Sequence, residues 1–132
     1  MAGMLAWNAA LAVGIAELDS DHQQLFEDLN SMEAAVRRGE SISGLLTLLE
    51  CHAKQHFKRE ESYMARVQCP TEAINRAEHD RFLILLTEAK VQVEDAPTDA
   101  AVAAQIHARL CAFVADHILR VDGAMRSNGS AA

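Results

Sequence analysis

Apolar residues recur three and four positions apart through four long stretches of this chain, and short runs of turn-forming residues separate the stretches. A chain patterned this way has to bury four helical stripes against one another. The first stripe reads Leu18, His22, Leu25, Phe26, Leu29, Met32 and Val36, with Asp19 or Ser20 as the expected N-cap, and stops near Arg38-Gly39. The second opens at Ser41 or Ser43 and carries Leu45, Leu49, His52, His56, Glu60 and Met64 until Cys69-Pro70-Thr71 breaks it. The third starts at Pro70 or Thr71 and presents Ile74, Asn75, His79, Phe82, Leu83 and Leu86. After the turn at Ala96-Pro97-Thr98-Asp99, the fourth runs from about Asp99 through Val102, Ile106, Leu110, Phe113, Val114, His117 and Val121. The expected fold is all-α, an antiparallel up-down-up-down four-helix bundle over residues 19–122. An extended N-terminal arm (1–18) and a flexible tail (123–132) complete a single domain of 132 residues.

Composition narrows the function. The formal net charge is −7, and no Lys or Arg precedes Arg37, which argues against a polybasic nucleic-acid or membrane surface and against the basic start of a signal peptide. No apolar run approaches the ~18 residues of a membrane span. Three cysteines, Cys51, Cys69 and Cys111, form no C-x-x-C and suit free thiols in a reducing cytoplasm. Cys69 falls in a turn, where it is expected to be exposed, while Cys51 and Cys111 pack as small apolar side chains.

The informative residues are ionisable groups on the face that the apolar period assigns to the core. His22 lies between Leu18 and Leu25, and His56 and Glu60 continue the line of Leu45 and Leu49. His79 precedes Phe82 by three positions, His117 follows Val114 by three, and Asp122 flanks the same seam five positions further on. A single histidine on such a stripe is most often a hydrogen-bonded core residue. His52 and His107 fit that plain account, with His107 expected at the surface and Glu61 read as a solvated neighbour of Glu60. Six ionisable groups converging on one core need more, because an unpaired buried charge costs several kcal/mol. Imidazole plus carboxylate suits iron, zinc, manganese or copper, and two carboxylates from different helices suit a dinuclear centre. The ferritin-like arrangement requires Glu-x-x-His pairs, and the chain has none.

These residues resemble the hemerythrin family, specifically its bacterial branch of non-haem di-iron oxygen-binding bundles. The likeness runs from Trp7-Asn8 through Val13-Gly14-Ile15 and Asp19-Ser20-Asp21-His22 to the block His56-Phe57-Lys58-Arg59-Glu60-Glu61-Ser62-Tyr63-Met64. It continues over Cys69-Pro70 and His79-Asp80-Arg81-Phe82 to His117-Ile118-Leu119-Arg120-Val121-Asp122. The resemblance implies two iron ions bridged by an oxo or hydroxo group and by Glu60 and Asp122. His22 and His56 would ligate the iron that keeps an open position for dioxygen, and His79 and His117 the other. Leu25, Phe113 and Val114 would line the oxygen pocket. The family pattern has a further histidine four residues before His79, where this chain has Asn75. An amide is a poorer ligand than imidazole, so Asn75 implies a weakened or lost ligand, a loosely held second metal and faster autoxidation.

The function implied is oxygen binding, or oxygen and redox sensing, with dioxygen or small anions as partners and no catalysis. A signalling domain is a further partner if the chain is a piece of a larger sensor. The alternative is an enzyme with peroxidase-like or nitric-oxide-reducing activity at a position opened by Asn75.

Overall fold

A computed structural model describes residues 12–119. Four helices follow one another: α1 (Ala16–Arg37), α2 (Ser43–Arg66), α3 (Glu72–Asp95) and α4 (Ala100–His117). Each packs chiefly on its two neighbours in the ring, α1 on α2 and α4, α3 on α2 and α4. The expected all-α four-helix bundle is therefore what forms. The outer part of the expected arm (1–11), the tail (123–132) and Asp122 lie outside the described residues.

Helix ends explain where the boundaries moved. The first helix begins at Ala16, ahead of Asp19. Asp19 is not its N-cap, because its carboxylate accepts the Val13 and Gly14 N–H groups at 2.7 and 3.2 Å and ties the incoming chain to the first turn. At the other end Gly39 takes φ 68°, the Glu40 N–H bonds the Ala35 carbonyl and the Gly39 N–H bonds that of Val36. That left-handed closure uses glycine as expected. The second helix closes the same way on Gln68, at φ 53°, with Cys69 N–H on the Met64 carbonyl. A non-glycine residue there costs on the order of 1 kcal/mol. Burial of Cys69 against Met64 accompanies this closure, so Cys69 is inside rather than exposed. The fourth helix is capped by Asp99, whose carboxylate accepts the Ala101 and Val102 N–H groups.

One end of the bundle is packed chiefly with apolar side chains, among them Leu29, Met32, Leu46, Leu49, Leu86 and Leu110, all fully buried. His107 belongs to this region's edge and not to the surface. It is buried, and its Nε2–H donates to the Leu29 carbonyl at 2.9 Å. Cys111 packs beside it, and burial, with the Glu33 carboxylate as a lesser cause, pushes its thiol up to about 11. Cys51 is exposed rather than packed, and no two described cysteines are joined.

Candidate metal centre

The other end of the bundle holds the ionisable groups. Each helix contributes: His22 from α1, His56 and Glu60 from α2, Asn75 and His79 from α3, and His117 from α4. The spacing accounts for this, because His56 and Glu60 are one turn apart on α2 and Asn75 and His79 one turn apart on α3. All six are buried, and the Glu60 side chain has no exposed surface.

Glu60 stands at the centre, and its two oxygens face different partners. Oε2 lies 3.0 Å from His56 Nε2 and 3.3 Å from His22 Nε2. Oε1 lies 2.9 Å from His79 Nε2, 2.9 Å from Asn75 Nδ2 and 3.7 Å from His117 Nε2. Two donor sets result, His22–His56–Glu60 and Glu60–His79–His117, and they share one carboxylate. Burial alone pushes the Glu60 carboxyl up, but hydrogen bonds from His117, His22, His56 and His79 together outweigh it and hold the group well below the usual carboxylate range.

The far nitrogen of three of these rings is held by an outer carboxylate. His56 Nδ1 meets Asp21 at 3.0 Å, His79 Nδ1 meets Glu61 at 2.8 Å, and His117 Nδ1 meets Glu78 at 2.8 Å. Asp21 is itself gripped by Arg59 through Nε at 2.8 Å and Nη2 at 2.5 Å. Although burial raises the Asp21 carboxyl, His56 and Arg59 more than reverse this and leave it far below its ordinary value. Arg76 approaches Glu61 at 3.5 Å. Such carboxylates fix ring orientation and make the inward nitrogen a better donor to a metal.

The donor set fits a metal ion on physical grounds. With Nδ1–H given to the outer carboxylate, Nε2 presents a lone pair, and a lone pair facing a carboxylate oxygen at about 3 Å is repelled unless a proton or a cation lies between. Four imidazoles around one buried carboxylate would carry excess positive charge if all were protonated. Cations divided between the two sets satisfy the same contacts with every imidazole neutral, each inward nitrogen giving its lone pair to a metal.

Asn75 completes the ring on the α3 side with no exposed surface. Its amide donates to Glu60 Oε1 and to Met64 Sδ, both at 2.9 Å, while Oδ1 has no hydrogen-bond partner among the described residues. Leu25, Phe113 and Val114 come together around a cavity of about 10 Å³. Phe57, Phe82 and Ile118 also line it, and His22, His56 and His117 form its polar side. Phe57 further stacks on His79 with centroids 3.8 Å apart. His52 stands apart, half-buried and paired with Asp28 at 2.6 Å.

The outer carboxylates were missed in sequence. Glu61 is no solvated bystander, since it holds His79. Glu78 was legible, because Glu78, Phe82 and Leu86 make a stripe at four-residue steps. The pairing of Asp21 with His56 depends on how α1 is rotated against α2, which no spacing within either helix reports.

Comparison with known proteins decides the ancestry of this arrangement. Residues 13–125 match the family model of the hemerythrin HHE cation-binding domain. The chain belongs to the hemerythrin family. A bacteriohemerythrin of Clostridium acetobutylicum is 25% identical over 125 residues, covering 90% of this chain and 96% of that protein. Hemerythrin-like proteins of Naegleria gruberi and Naegleria fowleri are each 32% identical over 77 residues, or 58% of this chain and 61% of theirs. The matched family model is that of a cation-binding domain, and the chain's clustered imidazoles and Glu60 could hold metal ions. Among the described residues no helix is long and apolar enough to cross a membrane.

Proposed function

We infer that this hemerythrin-family chain holds two iron ions and binds dioxygen, as a carrier or as a sensor of oxygen and redox state. The observation that carries the reading is the division of Glu60, with Oε2 toward His22 and His56 and Oε1 toward His79 and His117. Glu60 would bridge the pair, Asp122 would supply the second carboxylate bridge, and an oxo or hydroxo group would complete it. The iron, when bound, supplies the electrons and the open coordination position that dioxygen requires.

The protein's own residues do the rest. Asp21, Glu61 and Glu78 hold the rings so that each Nε2 faces inward. Glu60 stays ionised in a dry core because the imidazoles surround it. Leu25, Phe57, Phe82, Phe113, Val114 and Ile118 exclude bulk water, leaving a cavity of about 10 Å³. That is about the space of a single water molecule and not of a hydrated anion. Asn75 offers Glu60 Oε1 a hydrogen bond where an imidazole would offer a metal a lone pair, so the α3–α4 side holds its metal less firmly. The apolar lining of the pocket favours binding over turnover. A cytoplasmic setting suits the acidic, reduced chain.

The test is to load the protein with iron, reduce it without air, and admit dioxygen while recording its visible absorption and assaying iron per chain. Two irons per chain and a new band that fades when dioxygen is withdrawn are expected. One iron per chain, or no change of absorption beyond irreversible oxidation, overturns dioxygen carriage.

A further inference from the structure

Between α3 and α4 lies a groove of about 550 Å³, lined by Arg81, Ile84, Leu85, Glu88, Arg109 and Phe113 with Ala112 and Asp116. It touches none of the donor residues. Yet it shares one residue with the small inner cavity, and that residue is Phe113. The same ring is half-buried, packs on Phe82 with centroids 5.2 Å apart and lies parallel to His117 at 6.1 Å. Phe113 thus borders both the groove and the cavity beside the donor atoms.

We propose that Phe113 is the gate through which a neutral diatomic molecule passes from the α3–α4 groove to the centre, and that its size sets how fast such a molecule enters. Three features point the same way. The floor of the groove is apolar, with Ile84 59% exposed and Leu85 and Ala112 beside it, so a neutral solute accumulates there in preference to an ion. Its rim carries two cations, Arg81 and Arg109, and two anions, Glu88 and Asp116, and this balance steers neither sign of charge inward. Half-exposed rings reorient on fast timescales, and Phe113 has solvent on its groove side to turn into, unlike Phe82, which is 1% exposed. Phe57 cannot serve, because it is stacked on His79 and buried. The identity of the incoming molecule as dioxygen-like rests on the functional reading above, while the route does not.

Two experiments keep these apart. In protein loaded with zinc, which the same donors accept, dissolved dioxygen under pressure broadens the methyl resonances it reaches. The Leu25 and Val114 methyls, measured against exposed Val91, broaden more in Phe113→Ala and less in Phe113→Trp than in the parent. In iron-loaded, reduced protein, stopped-flow dioxygen association accelerates at least about five-fold in Phe113→Ala and slows by a similar factor in Phe113→Trp, whereas Val91→Ala changes nothing; a five-fold change is about 1 kcal/mol of barrier. Circular dichroism checks that each variant folds, and the tryptophan variant alone suffices if the alanine variant does not. Equal broadening and equal rates, within two-fold, across residue 113 variants would overturn the gate. Broadening that follows residue 113 without any iron-dependent dioxygen signal upholds the route and instead refutes the oxygen-binding reading.

Discussion

The two ends of the bundle are buried to the same degree and built on opposite principles. Around Leu29, Met32, Leu46, Leu49, Leu86 and Leu110 the side chains pack on one another as an apolar cluster, so folding gains from each. Around Glu60 the same helices bury a carboxylate, an amide and four imidazoles at side-chain exposures of 6% or less for the ionisable groups. Removing such groups from water costs several kcal/mol per ion before pairing repays it. The apolar end therefore stabilises the fold, and the polar end is held in place by it until a cation occupies it. Binding and folding are separable in this molecule along its length.

Substitutions at the two ends should then fail in opposite ways. The largest expected effect is at Leu86, where Leu86→Ala lowers unfolding free energy by about 2–5 kcal/mol, while metal per chain, measured on the folded fraction, stays unchanged. Glu60→Gln does the reverse, with metal content falling below one ion per chain and the stability of the metal-free protein altered far less. A loss of metal in Leu86→Ala equal to that in Glu60→Gln would erase the distinction. Next in size, chelation lowers the melting temperature of the parent, because a metal at about 100 times its Kd adds roughly 2.7 kcal/mol. In Glu60→Gln the chelator has nothing to remove, and its melting curve is expected not to move.

The comparison sharpens within the polar end. Asp21→Asn loosens the ring of His56, and Glu61→Gln that of His79, each with an expected loss of about 10–100-fold in affinity for one metal of the pair. Competition with a coloured chelator reads the two steps separately. Asn75→His is expected to slow release of the more weakly held metal and to lengthen the oxygenated state. An unchanged release rate would show that Asn75 is not the weak point.

The smallest effect belongs to the surface of the apolar end. Glu50 accepts from Lys90, and this contact is the main reason that its carboxyl lies below the usual 4.5, with Lys54 adding to it. Because the folded value is depressed, the stabilisation is full above 4.5 and is lost as pH falls through the folded value. Exposure limits it to about 0.5 kcal/mol. Denaturant midpoints of Glu50→Gln and parent should differ at pH 7 and converge in acid.

How much of this was legible in sequence follows the same division. Helical period reports which face of one helix is inward, and it placed the four helices and brought His22, His56, Glu60, His79 and His117 to one core. It placed Asn75 there too. His107 is buried and not at the surface, and His107, Leu110 and Val114 at steps of three and four mark it as inward. What lies between helices was not legible. The Asp21–His56 and Glu78–His117 pairs depend on the rotation of one helix against another. The start of α1 was misplaced because Asp19 hydrogen-bonds backward to Val13 and Gly14 and not forward into the first turn.

The most direct test of the shared carboxylate is anomalous diffraction at the iron edge on crystals of iron-loaded protein. Two peaks, about 3.5–4 Å apart, one between Glu60 Oε2 and the His22–His56 pair and one between Oε1 and the His79–His117 pair, are what the division of Glu60 predicts. A single peak, or two that lie on the same side of Glu60, would contradict it.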